Sequence, residues 1–258
     1  MHPVIDIPIL IQIARQAGNA ILQVYQNEFE VIRKSDNSPI TLADTASNEV
    51  INSHLTKHYP QIPIISEENK LTDYAIRKDW NYCWIIDPLD GTKEFVNRNG
   101  EFTINIALIE KQTPIFGLIY VPVSGELYYA LMGKGSFYLA PNADKPVQIF
   151  AQKPMPGAQV ITFASRSHIN EDTRRFIEGL KTIYGDVQVT GAGSALKFCR
   201  VAEGKAHFYP RFSPCSEWDT AAGHIIATQA GATVTQPNGE PLLYNKENLL
   251  SPSFIVSA

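Results

Sequence analysis

Cysteine is scarce in this sequence. There are three in 258 residues, Cys83, Cys199 and Cys215, and they lie far apart. No Cys-x-x-Cys pair occurs, so neither a zinc ribbon nor a thioredoxin-like redox motif is indicated. The odd count, and the lack in Met1–Asp6 of a basic stretch leading into a cleavable apolar one, predict a reducing, cytoplasmic setting. Long apolar runs are missing too: none approaches the ~20 residues of a membrane span. Positive charge is not in excess. With 22 basic and 26 acidic residues and a net charge of -4, no basic footprint for nucleic acid is present. There is no internal repeat and no low-complexity tract. The apolar content of 44% and charged content of 19% are those of an ordinary globular protein. The length allows one large domain or two small ones, with ample core.

What the chain does have is acid at the ends of apolar runs. Cys83-Trp84-Ile85-Ile86 reads as a buried strand and leads directly into Asp87-Pro88-Leu89-Asp90-Gly91-Thr92. Pro88 removes a backbone donor and stiffens the expected turn. Gly91 allows close approach of a ligand, and the amides of Gly91 and Thr92 can face an anion. Carboxylates and carbonyls are the ligands Mg²⁺ prefers, and it is commonly shared with a phosphate. Ile64-Ile65-Ser66-Glu67-Glu68 is a second apolar run ending in acids. Asp219 in Ser216-Glu217-Trp218-Asp219 and Asp44 in Thr41-Leu42-Ala43-Asp44 sit at expected helix starts, where the macrodipole favours acids in any case. Acids at two strand ends and two helix starts suggest one metal cluster.

Glu67-Glu68, Asp87 to Thr92 and Trp218-Asp219-Thr220-Ala221-Ala222-Gly223 resemble, in order and spacing, the motifs of the inositol monophosphatase superfamily of Mg²⁺-dependent, lithium-sensitive phosphatases. Lys93-Glu94-Phe95, Asn99 to Ile109, Gly193 to Cys199 and Tyr209-Pro210-Arg211 look most like its bacterial 3'(2'),5'-bisphosphate nucleotidases. The resemblance runs from about Ile13 to the C-terminus. It implies a layered α-β-α-β-α sandwich of the inositol monophosphatase and fructose-1,6-bisphosphatase type. It also implies two or more Mg²⁺ ions held by Glu67, Asp87, the Leu89 carbonyl, Asp90 and Asp219, with Asp87 bridging. Asp44, Glu67 and Thr92 would orient and deprotonate the attacking water. Gly91, Thr92, His168, Ser194, Lys197 and Arg211 would hold the substrate, a small nucleotide bisphosphate. Adenosine 3',5'-bisphosphate would give AMP and phosphate, and 3'-phosphoadenylyl sulfate is a related candidate. An inositol or sugar phosphatase, or a partner-binding member of the same fold, are the alternatives.

Other chemistries fit less well. Asp87 and Asp90 are separated by two residues, where an aspartyl-phosphate enzyme needs Asp-x-Asp. No cysteine is followed after five residues by arginine. Gly191-Ala192-Gly193 is too short for a dinucleotide fingerprint, and there is no P-loop lysine. His54 and His58 lack a His-Glu-x-x-His context and read as a solvated or packing face. Lys197 could equally be a solvated helix residue.

Periodicity predicts helices over about Ile7–Tyr25 and from Thr41 toward Tyr59. Strands are expected at Ile62–Ile65, Cys83–Ile86, Thr103–Ile109, Ile115–Val121 and Glu126–Leu131. This first half, residues 1–140, reads as α+β. Pro141-Asn142-Ala143-Asp144-Lys145-Pro146 is the expected boundary. Residues 147–258 then alternate: strands at Val160–Phe163, Val187–Val189 and Ala206–Tyr209, helices at Thr173–Leu180, Ala195–Glu203 and Asp219–Gln229, an α/β rhythm.

Overall fold

The computed structural model describes residues 3–26, 31–33, 39–164 and 170–258. In chain order the elements begin α1 (Ile7–Gln26), β1 (Val31–Arg33), β2 (Pro39–Thr41), α2 (Leu42–His58), β3 (Ile64–Ser66), α3 (Tyr74–Arg77), β4 (Tyr82–Asp90) and α4 (Thr92–Val96). Five strands follow: β5 (Thr103–Glu110), β6 (Thr113–Tyr120), β7 (Leu127–Leu131), β8 (Gly135–Leu139) and β9 (Val147–Ile149). Then come β10 (Val160–Ala164), α5 (Glu171–Tyr184), β11 (Val187–Gly191), α6 (Leu196–Ala202), β12 (Phe208–Arg211) and β13 (Cys215–Ser216). The chain closes with α7 (Glu217–Gln229), β14 (Thr233–Thr235), β15 (Leu250–Ser251) and β16 (Phe254–Ser257).

Strands β3 to β9 form a seven-stranded sheet in sequence order. Its first pair is parallel and the others are antiparallel. A five-stranded sheet has the order β11-β10-β12-β16-β14. Within it β11, β10 and β12 are parallel, and β16 runs against both its neighbours.

Alternation along β4 and β5 decides what covers the larger sheet. Trp84, Ile86, Ile104, Ile106 and Leu108 face a core shared with Leu10, Ile13 and Ala17 of α1 and with Ile51 and Leu55 of α2. The residues between them, Cys83, Ile85, Ala107 and Ile109, face a second core with Phe198 of α6 and Ala222, Ile225 and Ile226 of α7. That core continues into Tyr209, Phe254 and Val256 of the smaller sheet. On its far side, Phe176 and Leu180 of α5 close over Val160 and Phe208. The layers are therefore α-β-α-β-α, the sandwich that the resemblance implied. Strands covered on both faces read as continuous apolar runs.

Helix α7 lies against the large sheet at backbone distance. A Cβ on Gly117 of β6 would stand 2.6 Å from the Ala222 carbonyl oxygen. Any side chain there would displace the helix that carries Asp219.

The structure also departs from the sequence reading. Strand β4 does not end at Ile86 in a turn but runs on through the acidic motif to Asp90. Strands β1, β2, β8, β9 and β13 to β16 and helices α3 and α4 had no expectation. β9 lies just past Pro141–Pro146 yet pairs with β8, so the change of sheet falls between β9 and β10. Helix α5 extends past the expected Thr173–Leu180 at both ends: Asn170 caps its start by accepting the Thr173 amide at 2.9 Å, and Gly185 at φ 81° ends it. Among the described residues, no helix is long and apolar enough to cross a membrane.

Candidate active site

The site is built first by an irregularity in a strand. Asp87 lies opposite Asn105 on β5, and Asp90 opposite Thr103. Three steps along β4 thus match two along β5, which is a β-bulge. On a regular strand, residues three apart point to opposite faces. The extra residue returns Asp90 to the face of Asp87, the one that looks toward α7. Pro88 suits the bulge because it has no N–H to offer the ladder. Its carbonyl accepts Ser47 Oγ of α2 at 2.7 Å, and Leu89 is left outside the pairing register. The Leu89 amide donates to Asp87 Oδ1 at 3.0 Å.

Two other segments bring acids to this point. β3 runs parallel to β4 and ends at Ser66, opposite Ile86, so Glu67 comes next to the bulge, with its amide 3.4 Å from the Ile86 carbonyl oxygen. Asp219 stands in the first turn of α7, where it accepts the Ser216 amide at 3.0 Å as half of a capping box. Asp87, Asp90 and Asp219 each offer an oxygen, all within 4.8 Å of one another. Such an all-oxygen set fits a hard divalent cation. Asp44 is buried in the first turn of α2, and its charge reaches Asp87.

Without a cation the cluster is electrostatically costly. Burial comes first in raising the Asp87 carboxyl well above its ordinary range, followed by the charges of Glu67, Asp90, Asp219 and Asp44. Burial, then the charge of Asp90, lifts Asp219 to about 7, against relief from Arg211 and the Ser216 amide. Asp90 is also raised by burial, offset by Lys197, Arg211, Asn105 and the Ala195 amide. Carboxylates that crowd together against their own solvation are the pattern a bound cation resolves.

An open cleft of about 350 Å³ runs over the cluster, lined by Glu67, Asp87, Leu89, Asp90, Gly91, Thr92, Lys93, Glu94, Arg211 and Asp219. Gly91 adopts a left-handed conformation at φ 94° and starts α4, with Thr92 as its first residue. Ser194, also left-handed at φ 49°, lies in a small recess beside the cleft with Asp90, Arg211 and Asp219. Of the expected ligands, Asp87, Asp90 and Asp219 come together, and Glu67, Leu89, Gly91, Thr92 and Arg211 line the same cleft. Glu68 does not line the cleft, consistent with Glu67 as the acid that faces it. His168 lies outside the described residues.

Lys197 is neither a solvated side chain nor a cleft-lining one. It is buried, and Nζ donates to the carbonyls of Ala192 at 3.1 Å and Ser194 at 2.6 Å. It also lies 5.1 Å from the centre of the Tyr209 ring. Burial lowers it to about 8, with Asp90 acting in the other direction. Lys197 thus ties the 192–195 loop from beneath. The same loop is fixed by Gly193 N–H to Glu101 Oε2 at 2.8 Å and Ala195 N–H to Asp90 Oδ2 at 2.5 Å.

Asn105 had no assigned role in the sequence. Its Nδ2 donates to Asp90 Oδ2 at 3.3 Å while its Oδ1 accepts Thr103 Oγ1 at 2.9 Å. Both the Asn105 and Ala195 donors use Oδ2, which leaves Oδ1 of Asp90 for the cluster. The signal was present: Thr103 and Asn105 are polar at period two in an otherwise apolar strand. A polar cluster of Asn48, Asn52, Ser66 and Asn69 also joins α2 to the Glu67 segment.

The sequence profile of the Inositol monophosphatase family matches residues 5–255. The chain belongs to this family. Members of the inositol monophosphatase family are metal-dependent phosphatases, and in this member Asp87, Asp90 and Asp219 could hold a metal ion. The chain is 45% identical over 249 residues to the 3'(2'),5'-bisphosphate nucleotidase CysQ of Escherichia coli O6:H1, covering 95% of this chain and 97% of that protein. It is 43% identical to the CysQ of Buchnera aphidicola, over 93% of this chain and 88% of that one. The crystal structure of CysQ from Bacteroides thetaiotaomicron superposes with a TM-score of 0.86 at 44% identity, covering 97% and 96% of the two chains. The extragenic suppressor protein suhB of Bartonella henselae gives 0.78 at 25% identity, over 97% and 92%.

Proposed function

We propose that this chain is a Mg²⁺-dependent 3'(2'),5'-bisphosphate nucleotidase that hydrolyses adenosine 3',5'-bisphosphate to AMP and phosphate. The observation that carries the substrate is the 45% identity to CysQ along nearly the whole of both chains. The chemistry rests on the acid cluster. Glu67, Asp87, Asp90, Asp219 and the Leu89 carbonyl would hold Mg²⁺. When bound, Mg²⁺ neutralises phosphoryl oxygens and makes water more acidic at neutral pH.

The chain's own groups supply the rest. Thr92 orients the attacking water, and the carboxylates of Asp44 and Glu67 accept its proton. The amides of Gly91 and Thr92 bind phosphoryl oxygens beside Asp90. Arg211 reaches the second phosphate, where its paired donors suit a phosphate better than a point charge would. Ser194 meets the nucleotide on the loop that Lys197 braces, and His168 joins them. Most of the catalysis is positioning and charge. 3'-phosphoadenylyl sulfate, with the same 3'-phosphate, is a second substrate. Three buried, free cysteines suit a reducing cytoplasm.

Turnover of adenosine 3',5'-bisphosphate and inositol 1-phosphate, measured side by side with Mg²⁺ and after chelation, tests the reading. A preference for the nucleotide of at least ~10-fold in kcat/KM, lost on chelation, is expected. A preference for inositol phosphate would overturn the substrate, and full activity in chelator would overturn the metal.

A further inference from the structure

Among the acids that line the cleft, Glu94 stands outside the proposed metal ligands. It lines the cleft together with Asp87, Asp90 and Arg211. Its side chain lies across two glycines. Oε2 is 3.1 Å from the Cβ position of Gly91, and Cγ is 2.6 Å from the Cβ position of Gly193. Side chains at those positions would push it aside, so their absence keeps it between the acidic motif and the 192–195 loop. Among the described residues no lysine or arginine forms an ion pair with it, although the charge of Lys197 reaches it. It does not belong to the metal cluster.

A carboxylate in this place repels both phosphates of the substrate. What it can receive is a neutral donor. Gly91 stands beside Asp90, so Glu94 is adjacent to where the reacting phosphate meets the metal ligands. The nearest neutral donor on a sugar phosphate is the hydroxyl on the carbon next to the ester. Resting on the nucleotidase reading, we propose that Glu94 is a specificity-determining residue that accepts a hydrogen bond from the ribose hydroxyl vicinal to the scissile phosphate. With the phosphate at the 3' position the donor is the 2' hydroxyl. With the phosphate at the 2' position it is the 3' hydroxyl. Two equivalent carboxylate oxygens serve either isomer.

The test compares adenosine 3',5'-bisphosphate with 2'-deoxyadenosine 3',5'-bisphosphate on the unaltered protein, on Glu94→Ala and on Glu94→Gln. A hydrogen bond to a charged group predicts a kcat/KM about 10- to 100-fold lower for the deoxy substrate on the unaltered protein. Glu94→Ala should bring the two substrates within ~3-fold of each other by lowering only the ribose value. Glu94→Gln keeps an acceptor oxygen and the same shape, and should retain part of the preference. A general structural role for Glu94 would lower both substrates together. An unchanged ratio in both variants, or no deoxy penalty in the unaltered protein, overturns the role of Glu94 and leaves the nucleotidase reading intact. No turnover of either nucleotide by the unaltered protein overturns both.

Discussion

Replacing Asp219 by asparagine should stabilise the metal-free protein while abolishing its catalysis. The folded-state value of this carboxyl is about 7, against an ordinary 3.8, and burial is the first cause. A raised carboxyl stabilises the fold only while it is protonated. The stabilisation is complete below 3.8 and is lost as pH rises through about 7. At pH 8 the metal-free protein therefore bears the whole cost. About three pH units correspond to ~4 kcal/mol. Asparagine keeps an acceptor for the Ser216 amide, but it drops a helix N-terminal charge that contributes ~0.3–1 kcal/mol. A net gain of ~3 kcal/mol corresponds to ~6–12 °C in Tm for a chain of this size. At pH 5 the gain should shrink to ~1–2 kcal/mol, since the native carboxyl is then already protonated. Thermal melts in chelator at pH 5 and pH 8, repeated with Mg²⁺, measure this directly. The unaltered protein should gain stability on adding Mg²⁺, most at high pH, and the variant should gain far less. A lower Tm for the variant in chelator at pH 8, or a gain that ignores pH, would refute the reasoning.

Asp87→Asn should lower kcat by at least ~10³-fold with an unchanged circular dichroism spectrum, and near-normal turnover would remove Asp87 from the centre of the cluster. Asn105→Ala should raise the Mg²⁺ concentration for half-maximal activity by ~10- to 100-fold, with much of kcat recovered at saturating metal. Arg211→Ala should raise KM for adenosine 3',5'-bisphosphate much more than for 3'-AMP, which has no second phosphate to lose. Lys197→Met should instead reduce kcat/KM on both nucleotides to a similar degree and lower Tm, because it removes the brace of the 192–195 loop; a loss confined to the bisphosphate would restore Lys197 to the substrate.

The long elements were legible because their periodicity is strong. Leu10, Ile13, Ala14, Ala17 and Ile21 of α1 are all buried on one face. Thr103 to Ile109 and Val160 to Phe163 announced β5 and β10. The short strands β9 and β16 were not legible, since three or four residues carry too little pattern and rely on partners distant in sequence. The acids of the site could be read because like charges rarely gather at the ends of apolar runs without a reason. Their mutual orientation could not, because it depends on the register of β4 against β5. The burial of Lys197 could not be read for a related cause. A lysine near the start of a helix looks solvated, and only the fold shows that two carbonyls from the preceding loop turn back to meet it.

The bulge in β4 makes chain length itself part of the chemistry. Deleting either Pro88 or Leu89 would change no acid and would keep Asp90 on the face of Asp87, but it would remove the bulge and draw the intervening main chain back into an even ladder. Inserting one residue between Asp87 and Asp90 while the bulge stays would instead turn Asp90 to the side packed by α1 and α2. The match between the two-residue gap and the bulge is thus a relation that substitutions leave untouched and that a single-codon insertion or deletion breaks. The same irregularity leaves Leu89 outside the pairing register, and in the proposed metal site its carbonyl would be a main-chain ligand that no point mutation removes.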